Sequence, residues 1–300
     1  MPLTADWIAL DWGTSNMRAW AMGADNSVLA RGDSAKGMGQ LSPSEFEPAL
    51  LDIVEQWLDI QRVTPVIGCG MVGARQGWIE AEYAKTPTPP IATAPTRAPA
   101  ADRRISVFIL PGVSQSAPPD VMRGEETQIA GYVAAHGTSG ILCLPGTHSK
   151  WVEIADGRIA RFRTAMTGEI FALLAEKSVL RHSVGTGEWS NDGFASGVSE
   201  ALGDPEIVTK LFSIRAGSLL EGTSPQASRS RLSGLLIGSE LAGTIDYWRG
   251  KEVALIGASQ LSTLYRKALA IAGVSARLFD AEEMTLAGLC AARAALEDAQ

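Results

Sequence analysis

Residues 7–18 read Trp-Ile-Ala-Leu-Asp-Trp-Gly-Thr-Ser-Asn-Met-Arg. An apolar run, Trp7–Leu10, ends at Asp11, and the chain then passes through Gly13, Thr14, Ser15 and Asn16 to Arg18. A continuous apolar run bounded by turn residues is the pattern of a strand buried on both faces. The turn sets one carboxylate, one flexible glycine and two hydroxyls at the mouth of that strand. Glycine lets the backbone approach an anion closely. Successive N–H groups and the Thr14 and Ser15 hydroxyls can bond phosphate oxygens. Asp11 can hold Mg²⁺, directly or through its water shell, because this ion keeps several waters. The segment reads as a metal–triphosphate loop, with Gly13, Thr14, Ser15 and Asn16 on the phosphates and Asp11 on the metal. It is no P-loop, since no G-x-x-x-x-G-K-[ST] string occurs.

Composition sets the frame around this loop. The 300 residues suit two domains, and 46% apolar with 20% charged residues allows each a full core. The net charge is −7 and no basic block occurs, which argues against nucleic-acid or anionic-membrane partners. Cys69, Cys143 and Cys290 are odd in number and far apart, so they match neither a disulfide framework nor a zinc site. Their apolar or small neighbours predict buried free thiols in a reducing compartment. No basic-then-apolar leader opens the sequence and no apolar stretch is long enough to span a bilayer. The expected location is the cytoplasm. His136, His148 and His182 show no metal spacing.

The first third reads as strands over Trp7–Leu10, Met17–Met22 and 27–33, then a helix, then a strand over 65–69. Ser42 is the expected N-cap of that helix, with Pro43 at its first position and Glu45 completing a capping box. Phe46, Leu50, Ile53, Val54, Trp57 and Leu58 follow at helical spacing. Residues 86–101 hold five prolines and read as an extended surface loop before a strand at 105–110. A helix is expected over 125–135. Strands at 140–144, 151–154 and 158–164 then repeat the strand–turn–strand opening, with Asp156-Gly157 as the hairpin. Helices are predicted from 167, over 205–220, 229–248 and 260–272, with strands at 253–256 and 276–279. A terminal helix over 282–299 is expected to pack on the first domain. Gly234 and Gly238 inside the 229–248 helix each cost about 1 kcal/mol relative to alanine, a cost that close helix packing offsets.

Two further segments carry chemistry. Arg123-Gly124-Glu125-Glu126 opens a helix, where acids favour the N-terminal dipole. A phosphoryl transfer to a hydroxyl also needs a carboxylate to accept the proton. Neighbouring helical residues point about 100° apart, so one of the pair faces the acceptor. Glu125 is the preferred base and Glu126 the alternative. Pro145-Gly146-Thr147-His148-Ser149-Lys150 is a second Gly-Thr turn. Gly146, Thr147 and Ser149 can bond phosphates, His148 can orient them, and Lys150 can neutralise charge on the transferred group. Residues 253–259 form a strand followed by Gly257-Ala258-Ser259, which reads as a nucleoside contact. Gly68–Trp78 carries four glycines with Arg75 and Trp78, a tightly turned loop or a ligand contact. Arg18, Arg123 and Arg163 stand at or near predicted turns, and an acid sugar calls for one such arginine.

The strings Ala9–Trp20, Gly70-Met71-Val72-Gly73, Gly77-Trp78, Val121–Gln128, Pro145–Trp151, Phe162–Glu169 and Leu232–Glu240 span almost the whole chain. Together they resemble the 2-dehydro-3-deoxygalactonokinase family of the sugar kinase/Hsp70/actin superfamily. The resemblance implies an α/β fold of two actin-like (ribonuclease H-like) domains with a nucleotide-binding cleft between them. It implies a sugar-side domain over 1–132 plus 282–300 and a nucleotide-side domain over 133–281. It implies transfer of phosphate from ATP, with Mg²⁺, to the C6 hydroxyl of 2-dehydro-3-deoxy-D-galactonate. Met71, Val72, Trp78, Arg18, Arg123, Arg163 and Glu169 then become the substrate-side set. One departure is plain: many superfamily members carry an aspartate where Pro145 stands. The rivals are a kinase of another sugar or 2-keto-3-deoxy acid, and a nucleotide-dependent switch or chaperone of the actin/Hsp70 branch. The length leaves little room for the extra domain that the latter needs, and no helix-turn-helix precedes Trp7, against a sugar-sensing repressor. The partners expected are the sugar acid and ATP, with a homodimer left open.

Overall fold

Trp7 and Ala9 pack into one hydrophobic cluster and Ile8, Leu10 and Trp12 into another, as the two-residue period of a strand requires. Both faces of β1 (Trp7–Trp12) are therefore covered, and Asp11 is the polar residue near its carboxyl end. The computed structural model describes residues 3–91, 95–186 and 188–297. They fall into two units, one of 1–139, 155–161 and 281–300, the other of 140–154 and 162–280.

In the first unit β1 lies between β2 (Met17–Met22), antiparallel, and β4 (Thr64–Cys69), parallel. With β3 (Val28–Ser34), β6 (Thr96–Arg97) and β7 (Ile105–Ile109) the order is β3-β2-β1-β4-β7-β6. The Ser42–Glu45 capping box forms, in a 3-10 turn that leads into α1 (Phe46–Val54). Phe46, Leu50, Ile53 and Val54 of α1 cover the Ile8–Leu10–Trp12 face. A second sheet was not expected from the sequence. It orders β5 (Tyr83–Lys85), β8 (Gly112–Ser116) and β9 (Pro119–Met122) as β5-β8-β9. The proline-rich stretch also differs from expectation, since Thr96–Arg97 pairs with β7. Its residues 92–94 lie outside the described residues. So do 298–299 of the expected terminal helix.

The sheet of the second unit repeats the topology, residues 155–161 of it being counted with the first unit. Strands β10 (Gly140–Leu144), β11 (Ser149–Ala155), β12 (Arg158–Ala165), β13 (Val253–Gly257) and β14 (Ala276–Asp280) run in the order β12-β11-β10-β13-β14. This is the arrangement of β3-β2-β1-β4-β7, and β10 pairs with β13 in parallel as β1 does with β4. Asp156 and Gly157 make the tight hairpin turn, both at positive φ. Helices α3 (Thr167–Glu176), α4 (Asn191–Gly203), α5 (Ile207–Leu220), α6 (Pro225–Gly243), α7 (Ile245–Trp248) and α8 (Ser259–Ile271) complete it, with α2 (Glu125–His136) in the first unit. The expected helix over 229–248 starts four residues earlier and breaks at Thr244, and α4 was not foreseen. The glycines of α6 do mark helix packing. A Cβ on Gly234 would stand 2.2 Å from the Phe194 carbonyl oxygen, and one on Gly238 2.7 Å from that of Val198.

The last helix, α9 (Ala281–Glu297), returns to the first unit, where Leu289 and Ala292 cover Trp7, Ala9 and Trp20. It crosses α2 at backbone contact: a Cβ on Gly288 would sit 1.9 Å from the Thr127 carbonyl oxygen, and one on Gly131 2.0 Å from that of Met284. Backbone cannot yield as a flexible side chain can. Gly288→Ala is expected to cost about 1–3 kcal/mol as overpacking. Urea unfolding checks this, and an unchanged midpoint would contradict it. Cys69 and Cys143 are buried free thiols as expected, whereas Cys290 on α9 is only half-buried.

Candidate active site

Asp11 is positioned by both strands that flank it. Cross-strand register sets Arg18 of β2 opposite Asp11, and its Nη2 meets Asp11 Oδ2 at 2.5 Å. On the other side the register partner is Cys69, whose Sγ lies 3.9 Å from Asp11 Oδ1. Glu282, in the first turn of α9, bridges Arg18 at 3.3 Å and Arg31 at 2.7 Å. Burial pushes the Asp11 carboxyl up, and the charge and hydrogen bond of Arg18 oppose it. The turn beyond is tight, with Gly13 N–H donating to the Asn16 carbonyl oxygen at 2.9 Å, and Thr14, Ser15 and Asn16 are exposed. Residues 37–39 brace it from behind. Met38 N–H donates to Gly13 O and Gly39 N–H to Thr14 O, and only glycine fits at 37, where a Cβ would lie 2.3 Å from Thr14 O.

One more loop of the first unit reaches this carboxylate, and another packs on that loop. Gly70 follows β4 at φ +94°, and a Cβ there would stand 3.4 Å from Asp11 Oδ1 and 2.8 Å from Trp12 O. Gly124 precedes α2 at φ +106°, and its Cβ position is 3.3 Å from Gly70 Cα. The helix start that carries both glutamates therefore abuts the end of β4. Glu125 is half-buried and accepts from Arg123 N–H at 3.0 Å. Glu126 is buried and accepts from Gly124 N–H at 2.7 Å and from Thr127 Oγ1 at 3.2 Å. Burial, and next the charge of Glu125, push its pKa up to about 8. The two acids of the sequence motif are thus separated by environment, which is how enzymes assign different roles to paired carboxylates.

In the second unit the Gly146–Ser149 loop follows β10. Gly168, second residue of α3, packs on it, since a Cβ would lie 2.5 Å from Gly146 O, and Glu169 N–H donates to Thr147 O at 3.0 Å. His148 Nε2 and Glu169 Oε2 meet at 2.5 Å, both side chains partly exposed. Lys150 and Ser149 are buried. Beside the loop is a cavity of about 170 Å³, lined by Gly146, Thr167, Gly168, Phe171, Trp189 and Arg229 together with α6 and α8 residues. The Arg229 guanidinium lies 4.9 Å from the centre of the Phe171 ring.

The structure thus gathers Asp11, Arg18, Gly13–Asn16, Arg123, Glu125 and Glu126 within one unit, and Gly146–Lys150 with Glu169 within the other. Other sequence expectations it places differently. Val72 and Trp78 belong to the core: the Trp78 indole packs against Phe46 and Trp12. A folded-over glycine loop delivers an aromatic to the sheet as readily as to a ligand, and Met71 is only partly buried there. Arg163 is held by the α6–α7 corner, donating to Gly243 O at 2.6 Å and lying 5.8 Å from the Tyr247 ring centre. Gly257, Ala258 and Ser259 do not line the cavity; Leu261, Leu264 and Tyr265, one turn further along α8, do. Gly257 instead lies against the loop, its Cβ position 3.3 Å from Pro145 O. Phe171, Trp189 and Arg229 were missed, because their spacing follows no short motif.

A family model described as 2-keto-3-deoxy-galactonokinase matches residues 11–292. A Rhizobium meliloti (strain 1021) protein named probable 2-dehydro-3-deoxygalactonokinase DgoK1 is 44% identical over 96% of both chains. The Escherichia coli (strain K12) 2-dehydro-3-deoxygalactonokinase is 36% identical over 90% of this chain and 91% of its own. A crystal structure from Sinorhizobium meliloti with the same enzyme designation superposes at a TM-score of 0.87, with 42% identity, over 97% of this chain and 99% of that one. At 10% identity the ligand-bound xylulose kinase of Lactobacillus acidophilus shares the fold, at a TM-score of 0.52 over 97% of this chain and 89% of that one. The fold is the actin-like ATPase and sugar kinase fold.

Proposed function

The chain belongs to the 2-keto-3-deoxy-galactonokinase family, and on that premise we propose how its residues divide the reaction. The enzyme is a kinase that uses ATP to phosphorylate 2-dehydro-3-deoxygalactonate. Our reading puts the transfer on the C6 hydroxyl. The observation that carries it is the convergence of Asp11, the Gly70 bend and the Gly124–Glu126 helix start at the carboxyl ends of β1 and β4. Crevices at the carboxyl ends of parallel strands are where α/β sheets bind ligands.

Glu125 is the general base in this reading. It is the less buried of the pair, and it accepts the hydroxyl proton as the oxygen attacks the γ-phosphorus. Glu126, with its raised pKa, keeps its proton at neutral pH and anchors the bend by accepting from Gly124 N–H. Arg123 is the arginine best suited to the substrate carboxylate. Its Nη2 donates to Ala81 O at 2.7 Å and its guanidinium lies 4.2 Å from the Tyr83 ring centre, while Nη1 is buried and has no hydrogen-bond partner among the described residues. Arg18 serves Asp11 instead.

Among the described residues no group of three His, Cys, Asp or Glu could hold a metal. A single carboxylate, Asp11, suits Mg²⁺, which keeps water and takes phosphate oxygens rather than a full protein cage. When bound, the ion neutralises charge on the phosphates. In the first unit the Gly13–Asn16 loop is assigned to phosphate; in the second unit the Gly146–Ser149 loop is assigned to phosphate and the cavity beside Gly146 to the nucleoside, with Trp189 and Phe171 to stack on the base. Among the described residues no helix is long and apolar enough to cross a membrane.

Steady-state assays with ATP and Mg²⁺ test the substrate and position. 2-Dehydro-3-deoxygalactonate is expected to give the highest kcat/KM in a panel of 2-keto-3-deoxy acids and hexoses, with phosphorus on C6 by NMR. Preference for a neutral hexose, or phosphorylation at another carbon, would refute it.

A further inference from the structure

Glu240 sits in the most apolar part of α6, among Leu235, Leu236, Ile237 and Leu241, and is itself buried. Both carboxylate oxygens accept hydrogen bonds. Trp151 Nε1 donates to Oε1 at 2.7 Å; Tyr265 Oη, at 2.6 Å, and Thr167 Oγ1 donate to Oε2. Tyr265 Oη also lies 2.7 Å from Ser149 Oγ. These donors come from β11, α8 and the first residue of α3, and all are neutral. Burial pushes the carboxyl up while the hydrogen bonds pull it down.

A buried carboxylate whose partners among the described residues are neutral is an expensive way to fill space, and an apolar side chain of that volume would pack at lower cost. What such a side chain cannot do is gather donors from three other elements onto one point. Two of those elements hold the Gly146–His148 turn. Ser149 is its exit, tied through Tyr265, and Thr167 starts the segment whose Gly168 and Glu169 backbone pack on Gly146 and Thr147. Thr167 and Tyr265 also line the cavity beside Gly146.

We infer that Glu240 is a positioning residue for the nucleotide, holding the Gly146–Ser149 loop and the cavity wall in one fixed arrangement. The inference rests on the reading that this loop takes phosphate. Glu240→Gln keeps the size but turns a donor toward donors. Tyr265→Phe leaves the Glu240 carboxylate in place and removes the one hydroxyl that bonds both it and Ser149. The expected result is an ATP KM raised about ten-fold or more in Glu240→Gln and about three-fold in Tyr265→Phe, with the sugar-acid KM within about two-fold of the parent in both. Kd for a non-hydrolysable ATP analogue, by calorimetry, should rise in parallel. A merely structural role would lower Tm and leave both KM values alone, and that outcome overturns the inference. Should Glu240→Gln not fold, Tyr265→Phe decides: unchanged ATP KM and analogue Kd refute it. Failure of the unsubstituted enzyme to bind the analogue would overturn the nucleotide reading itself, and this inference with it. Normal analogue binding by folded Glu240→Gln overturns this inference alone.

Discussion

Replacing Glu125 with glutamine is expected to lower kcat by about 10²–10⁴-fold, the usual worth of a positioned general base. The amide fills the same space and can still accept from Arg123 N–H, so the helix start keeps its shape. ATP affinity should therefore stay within about two-fold, and Tm should hardly move. Transfer to a hydroxyl needs a proton acceptor late in the step, and glutamine is none. The measurement is kcat and KM for both substrates, with analogue binding as a control. Turnover near that of the parent would remove Glu125 from the mechanism. If the loss appeared with Glu126→Gln instead, the roles would be exchanged.

Glu126→Gln should instead change how stability depends on pH. The ordinary glutamate value is 4.5, and in the folded enzyme burial raises it to about 8. Below about pH 4.5 the folded and unfolded chains both carry the proton, and this group's contribution is fully present. Between those values the unfolded chain releases a proton that the folded chain retains, so stability falls as pH rises and is lost through about pH 8. A tenfold change in proton affinity corresponds to about 1.36 kcal/mol, so the loss reaches roughly 5 kcal/mol. Glutamine carries no such titration. Urea unfolding of parent and variant should run close together near pH 5 and separate steadily toward pH 9, with the variant the more stable. Parallel curves over that range would show that Glu126 ionises normally in the folded enzyme.

How much of this was legible beforehand depended on whether a signal was local. The opening strand was readable because alternate residues on both faces are apolar and the single acid comes at its end. The Ser42–Glu45 capping box and the Asp156-Gly157 hairpin are local chemistry too, and both formed where expected. The β5-β8-β9 sheet was invisible, since its strands are only three to five residues long, and β8 and β9 begin on a glycine and a proline. Helix α4 was hidden by Gly193, Gly197 and Gly203, poor helix formers. Two of these glycines are explained only by α6: Cβ atoms at Gly193 and Gly197 would meet the carbonyl oxygens of Ala227 and Arg231 at 2.8 and 2.5 Å. The same limit applied to the site. The Asp11 and Thr147 turns announce themselves in sequence. Trp78 misled because an aromatic in a glycine loop has no local mark of burial. Glu240 did leave a trace, as the lone acid in an otherwise apolar helical stretch, but its partners lie 25 to 89 residues away.

The return of α9 to the opening sheet bears on the order of synthesis. While the ribosome is still working on residues beyond 280, every segment of the later-encoded unit has already been made, whereas the earlier-encoded one still lacks the helix that shields Trp7 and Trp20 and brings Glu282 to Arg18. The part translated first is thus the part finished last, its aromatic flank waiting uncovered until the carboxyl-terminal segment emerges from the exit tunnel.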